Sequence, residues 1–246
     1  MTSPRLLPAI LAAVISAAAP LRAQTDTSAH ATFRITPLRP VEQLRAEALR
    51  LQPPPDLGGA LAPDLVELTT LDASIKLDIR YASTNNFMGA AMYSQARAFL
   101  QRPAAEALVR VHRALAAQGY GLLIHDAYRP WYVTWMFWEA TPDSQHTFVA
   151  NPATGSRHNR GAAVDLTLFD RKTGQAVRMP SGYDEMTKRA YPTYTGGTVN
   201  ERARRDLLRR AMEAQGFTVN EAEWWHFDFR SWRDYPVLNV PFERLQ

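Results

Sequence analysis

The sequence predicts a single α+β domain. Strand-like alternation recurs at irregular intervals, helical stretches fall between the strands without a regular βαβ order, and 246 residues suffice for one substantial core. Hydrophobic residues make up 46% and charged residues 21% of the chain, the ordinary balance of a folded soluble protein.

The elements follow in order from local pattern. Residues 1–23 read as a cleavable secretory signal: Arg5 supplies a positive start, about 14 mostly apolar residues run from Leu6 to Ala19, and Leu21-Arg22-Ala23 offers a cleavage point before Gln24. That run is short for a bilayer span, so the mature chain is expected to be exported, to the periplasm, with no integral membrane segment. Residues 24–63 are rich in Thr, Ser, Ala and Pro and read as a flexible linker, with a short helix over 41–51. The folded domain is expected over 64–246. Residues 65–71 and 75–81 alternate as strands do. Residues 103–118 form a helix with Pro103 in the first turn, Leu108, Val111 and Leu115 at helical spacing, and Gly119 as the stop. An apolar strand over 121–128 ends at Arg129-Pro130. The helix over 131–140 carries Trp131, Trp135, Phe137 and Trp138, expected as core and lid packing and not as a cofactor box. A strand over 163–168, a helix capped by Asn200 and closed by Gly216, and a last strand over 223–229 complete the domain.

Two function classes fall away on composition. Without residues 1–23, 26 basic side chains face 24 acidic ones, and no Lys/Arg cluster interleaves with aromatics, so no nucleic-acid partner is expected. The chain has no cysteine, which removes disulfides, thiolate nucleophiles and thiolate ligands together. Any metal must sit on histidine and carboxylate.

Of the six histidines, His30, His112, His125, His146, His158 and His226, only the last two stand in surroundings suited to a metal. His158 leaves a glycine-hinged turn, and seven residues later Asp165 appears inside an apolar strand, on one face with Ala163 and Thr167. A buried carboxylate there needs a cation or strong hydrogen bonds. His226 is wedged among aromatics in Glu223-Trp224-Trp225-His226-Phe227-Asp228-Phe229. Two imidazoles and a carboxylate make a three-ligand zinc site with an open fourth position, as catalytic zinc requires. Glu223 is the candidate general base. Residues three apart on a regular strand face opposite sides, so this reading requires a bulge between Glu223 and His226. Arg129, at a strand end, suits stabilisation of a developing oxyanion.

Ser156-x-His158-x-x-Gly161-x-Ala163-x-Asp165 followed by Glu223-x-Trp225-His226 resembles the zinc peptidases of the D,D-peptidase and Hedgehog-like fold. Tyr81, Asn86-Phe87, Gly89, Asp126-Ala127-Tyr128-Arg129-Pro130, Asp165-Leu166-Thr167-Leu168 and Gly182-Tyr183-Asp184-Glu185-Met186 narrow the likeness to the D-alanyl-D-alanine dipeptidases, including the vancomycin-resistance type, over roughly 64–242. The resemblance implies a central, mostly antiparallel sheet flanked by helices. It also implies one zinc ion held by His158, Asp165 and His226, Glu223 as base and then acid, and Arg129 as transition-state stabiliser. Ser156, Tyr81 and Asp184 fall where the subgroup holds its substrate. A free dipeptide carries an ammonium, which suits Asp184, and a carboxylate, to which Ser156 can donate. The expected substrate is D-alanyl-D-alanine. The alternatives are an exported zinc D,D-carboxypeptidase or endopeptidase trimming peptidoglycan stem peptides, and a metal-bound but inactive binding domain, which would need neither Glu223 nor Arg129.

Overall fold

The computed structural model describes residues 30–55 and 57–245; the signal expected over 1–23 lies outside them. In chain order the regular elements are α1 (Val41–Ala48), β1 (Leu65–Glu67), α2 (Leu68–Leu71), β2 (Lys76–Leu77), β3 (Phe99–Gln101), α3 (Arg102–Ala116), β4 (Tyr120–Asp126), α4 (Trp131–Ala140), β5 (Ala163–Asp170), α5 (Val199–Glu213), β6 (Phe217–Asn220) and β7 (Glu223–Phe229). Five strands build the central sheet in the order β2-β4-β5-β7-β6, while β1 and β3 pair separately. Only β2 and β4 run parallel; the other pairs of the central sheet are antiparallel, giving the mostly antiparallel α+β architecture that the sequence led us to expect.

The central strand β5, Ala-Val-Asp-Leu-Thr-Leu-Phe-Asp, is buried along all but its last residue, which explains its near-continuous apolar character. Helix α3 lays Leu108, Val111 and Leu115 against the sheet, with α5 beside it. His112 of α3 is a core histidine: its Nδ1 accepts from the Leu122 N–H at 3.0 Å and its Nε2 meets Ser74 Oγ at 3.0 Å. Helix α5 starts two residues before the Asn200 cap would place it. Thr198 is the cap, because Glu201 sits at the third helical position, where its N–H donates to Thr198 Oγ1 (3.2 Å) and its Oε2 accepts from the Thr198 N–H (2.7 Å), closing a capping box that Asn200 cannot form.

Three expectations are corrected. The run 65–71 stops being a strand at Glu67 and continues as α2. The run 75–81 pairs only over Lys76–Leu77, then turns through a 3₁₀ stretch at Arg80–Ala82 where the Tyr81 carbonyl accepts from the Met92 and Tyr93 N–H groups. The segment 30–63, read from composition as a flexible linker, packs on the domain. Leu44 and Ala48 of α1 are fully buried beside α4, and Leu61 donates its N–H to the Asp234 carbonyl at 2.8 Å. Spacing explains this where composition does not: Phe33, Ile35, Val41, Leu44 and Ala48 all meet the core although the surrounding residues are polar.

Two bulges position the site. On β4, Ile124 pairs with Leu166 and Asp126 with Asp165, so two residues of β4 oppose one of β5. Strict alternation would put Asp126 on the face of Ile124; the bulge turns it to the face of Asp165. On β7, Phe227 pairs with Val219 but Glu223 pairs with the next residue, Asn220, leaving 224–226 without partners on β6. This is the bulge that the spacing of Glu223 and His226 required.

Candidate active site

Three elements bring the candidate ligands together. His158 opens a 3₁₀ turn that Gly161 ends at φ +63°, a conformation favouring glycine; a Cβ there would also lie 2.3 Å from the Leu65 side chain. From that turn the chain enters β5, which carries Asp165, and Asp165 pairs across the sheet with His226 of β7. His158 Nε2, Asp165 Oδ1 and His226 Nδ1 form a triangle with sides of 3.1, 3.3 and 3.0 Å. Tetrahedral ligands at zinc–nitrogen distances of ~2.0–2.1 Å stand about 3.3 Å apart, so the triangle fits. Asp165 Oδ1 is buried with no hydrogen-bond partner, an acceptor left for a cation.

The surrounding bonds aim each ligand. His158 Nδ1 lies 2.6 Å from the Ala127 carbonyl and His226 Nε2 lies 2.9 Å from Asp228 Oδ1, so both rings donate away from the centre and turn their other nitrogen toward it. Tyr183 donates its hydroxyl to Asp165 Oδ2 at 2.9 Å. Burial works against the Asp165 carboxylate, but His158 and His226 outweigh it and hold its pKa well below the usual carboxylate range. Burial also works against a charged His226, yet Asp228 and Asp165 hold its pKa well above the ordinary histidine value.

Glu223 Oε2 lies 3.8 Å from His226 Nδ1 at the edge of the same centre. Burial raises its pKa to about 7, against the pull of His226, which suits a group that takes and returns a proton. Arg129 is buried, with Nε and one terminal nitrogen donating to Asp126 Oδ2 at 2.9 and 2.7 Å; its Nη1 has no hydrogen-bond partner among the described residues. Burial opposes the cation, but Asp126 keeps its pKa well above the ordinary value. Tyr93 donates to Asp126 Oδ1 at 2.7 Å, and Asn159 donates to the Arg129 carbonyl at 2.9 Å, so both side chain and backbone are fixed.

Tyr81, Ser156 and Asp184 line the same cavity as the triad, a volume of about 230 Å³, with Phe87, Phe137 and Phe148 among its walls. Tyr81 donates to Asp184 Oδ2 at 2.9 Å. Asp184 sits at φ +56°, the lone non-glycine residue at positive φ among those described. Burial, then the nearby Asp165, raises its pKa well above the carboxylate value. Ser156 Oγ accepts from the His158 N–H at 3.2 Å, which leaves its hydroxyl proton to donate. All eight residues singled out from sequence therefore border one cavity.

Sequence reasoning assigned no role to Asp126, Tyr183 or Asp228. Two of them had a signal. Asp126 ends an apolar strand as Asp165 interrupts one, and Asp228, two residues from His226, falls on the same strand face. Tyr183 reaches Asp165 through tertiary packing and had none.

A sequence model of the family described as D-ala-D-ala dipeptidase matches residues 62–239. The chain belongs to the D-alanyl-D-alanine dipeptidase family, which makes it a zinc peptidase. It is 36% identical over 179 residues to the D-alanyl-D-alanine dipeptidase of Escherichia coli K12, covering 73% of this chain and 91% of that protein. It is 35% identical over 187 residues to the D-alanyl-D-alanine dipeptidase of Enterococcus faecium, covering 66% of this chain and 93% of that one. Among solved structures it is similar to the vancomycin-resistance D,D-pentapeptidase VanY in complex with Zn(II), at 18% identity and a TM-score of 0.35, over 54% of this chain and 74% of that one. Among the described residues of this family member, no helix is long and apolar enough to cross a membrane.

Proposed function

We propose that the chain hydrolyses free D-alanyl-D-alanine with one zinc ion held by His158, Asp165 and His226, after export to the periplasm. The observation that carries this reading is the triangle of ligand atoms, 3.0 to 3.3 Å on a side, with the Glu223 carboxylate 3.8 Å from one corner. The shared name of the relatives supports the substrate. So does the cavity of about 230 Å³, below the ~300–1,000 Å³ of drug-sized sites and suited to a very small peptide. The pattern of residues 1–23 supports export.

When bound, zinc supplies Lewis acidity to the scissile carbonyl and makes water a nucleophile near neutral pH. Glu223 takes the proton of the attacking water and returns it to the leaving amine. Arg129, steadied by Asp126, donates from Nη1 to the carbonyl oxygen as negative charge develops there. Asp184 and Tyr81 hold the substrate ammonium; an arriving cation favours the Asp184 carboxylate and offsets the effect of burial. Ser156 donates to the substrate carboxylate, and Phe87, Phe137 and Phe148 keep water from the remaining wall.

The test is turnover by the chain lacking residues 1–23, with and without chelator, on D-alanyl-D-alanine, its L,L isomer and a stem pentapeptide. Chelator-sensitive cleavage of the free D,D dipeptide alone is expected. Cleavage of the pentapeptide but not the dipeptide would replace this reading with a stem-trimming carboxypeptidase or endopeptidase. Glu223→Ala should keep its zinc and lose about 10²–10⁴-fold in kcat, whereas His226→Ala should lose the metal itself. Near-full turnover in zinc-loaded Glu223→Ala would overturn the assignment.

A further inference from the structure

Residues 31–48 precede the segment matched by the family, yet they are laid across the loops that form the substrate cavity. The Ala31 N–H donates to Asn85 Oδ1 at 2.7 Å and the Ile35 N–H to the Phe87 carbonyl at 3.0 Å, both on the loop that follows Tyr81. Arg45 donates to the carbonyls of Ala91 and Met92, and the Met92 N–H in turn donates to the Tyr81 carbonyl at 2.7 Å. The Thr32 hydroxyl lies 3.4 Å from Glu185 Oε2, which also accepts from the Gly182 N–H at 3.1 Å. A Cβ at Gly182 would sit 2.1 Å from Thr32 Oγ1, so the strap closes directly over the turn that holds Asp184 at φ +56°. Behind these contacts α1 packs on α4, whose Phe137 lines the cavity with its ring 4.8 Å from that of Tyr81 and 5.0 Å from that of Phe87.

From these contacts we infer that residues 31–48 are a built-in brace for the substrate subsite, with Ile35 and Arg45 as positioning residues for Tyr81, Phe87 and Asp184. The inference rests on the proposed site but is separable from it. The metal triad and Glu223 stand on β5, β7 and the turn at His158, and the strap's hydrogen bonds go elsewhere, to the loops over 80–93 and 181–187 and to α4. Two loops and one helix meet at the strap, and its bonds hold the pair Tyr81–Asp184, which joins those loops at 2.9 Å, in one geometry. A binding site whose loops are held in advance loses less entropy when the ligand arrives. Loosening the strap therefore weakens substrate binding and leaves the metal and the chemical step in place.

The test uses the full mature chain with Ile35→Pro, which deletes the donated N–H, and Arg45→Met, which keeps an unbranched apolar stem and removes the guanidinium. Each should raise KM for D-alanyl-D-alanine by about tenfold, the factor one such hydrogen bond is worth, with kcat and zinc content close to wild type. Backbone hydrogen exchange should quicken over 80–93 and 181–187 and stay unchanged over 158–165 and 223–229. This second reading holds whichever peptide is the substrate, so a wild-type chain that fails to cleave the dipeptide sinks the proposed function and not the brace. Unchanged KM and exchange in both variants, or faster exchange everywhere with zinc loss, would overturn the brace.

Discussion

At the scale of single residues, the candidate centre depends on side chains, Asp228 and Tyr183, that do not line the cavity. His226 can present Nδ1 to a cation because Asp228 Oδ1 accepts from Nε2 at 2.9 Å, fixing the tautomer and adding negative charge to the ring. Asp228→Asn preserves an acceptor but removes the charge; Asp228→Ala removes both. Zinc affinity should fall by roughly 10-fold in the first and toward roughly 100-fold in the second, read by competition with a chromophoric chelator. Wild-type affinity in Asp228→Ala would show that His226 is oriented by its strand alone. The comparison also explains what was legible at this scale. His158, Asp165, His226 and Glu223 stand out because imidazoles and carboxylates inside apolar runs demand a reason. Tyr183 does not, because a tyrosine in a loop is unremarkable until packing brings its hydroxyl to Asp165 Oδ2.

At the scale of elements, patterns long enough to repeat were readable and short ones were not. Helices α3 and α4 and strand β7 follow their sequence signals within one or two residues, since each spans at least two turns or a seven-residue aromatic-rich run. Strands β3 and β6 have three and four residues, too few for any period to emerge, and exist through their partners. The start of α5 separates two local signals. Asn200 has good cap chemistry, but only Thr198 has a glutamate three residues on to complete the reciprocal pair. Thr198→Ala should therefore cost ~1 kcal/mol, lowering Tm by about 2–4 °C for a domain of this size, while Asn200→Ala leaves the melt within error. An equal drop in both variants would mean that helix propensity and not the cap sets the boundary.

At the scale of the whole molecule, the domain has to hold a cluster of buried charges without disulfides, and a cation at the triad would tie the His158–Asp165 segment to β7, some sixty residues on. His158, Asp165 and His226 come from a turn, the middle strand and a strand near the end of the chain, so a cation shared by them links the sheet to the loops that wall the cavity. With the ion stripped by a chelator, the triad still balances: the His226 pKa is held high and the Asp165 pKa low, so imidazolium and carboxylate pair at 3.0 Å. The stripped chain should thus stay folded at neutral pH, with a lower Tm. An ion that binds the folded state alone stabilises by RT ln(1 + [L]/Kd), which at a thousandfold excess over Kd is ~4 kcal/mol, or roughly 8–16 °C in Tm at this size. The rise should depend on the logarithm of free zinc, and His226→Ala should abolish it, because two remaining ligands no longer close the triangle. Thermal scans across buffered zinc concentrations decide the matter. A Tm that ignores zinc in the wild type, or that rises equally in His226→Ala, would mean that any ion bound sits elsewhere and that the triangle is only a buried ion-pair network.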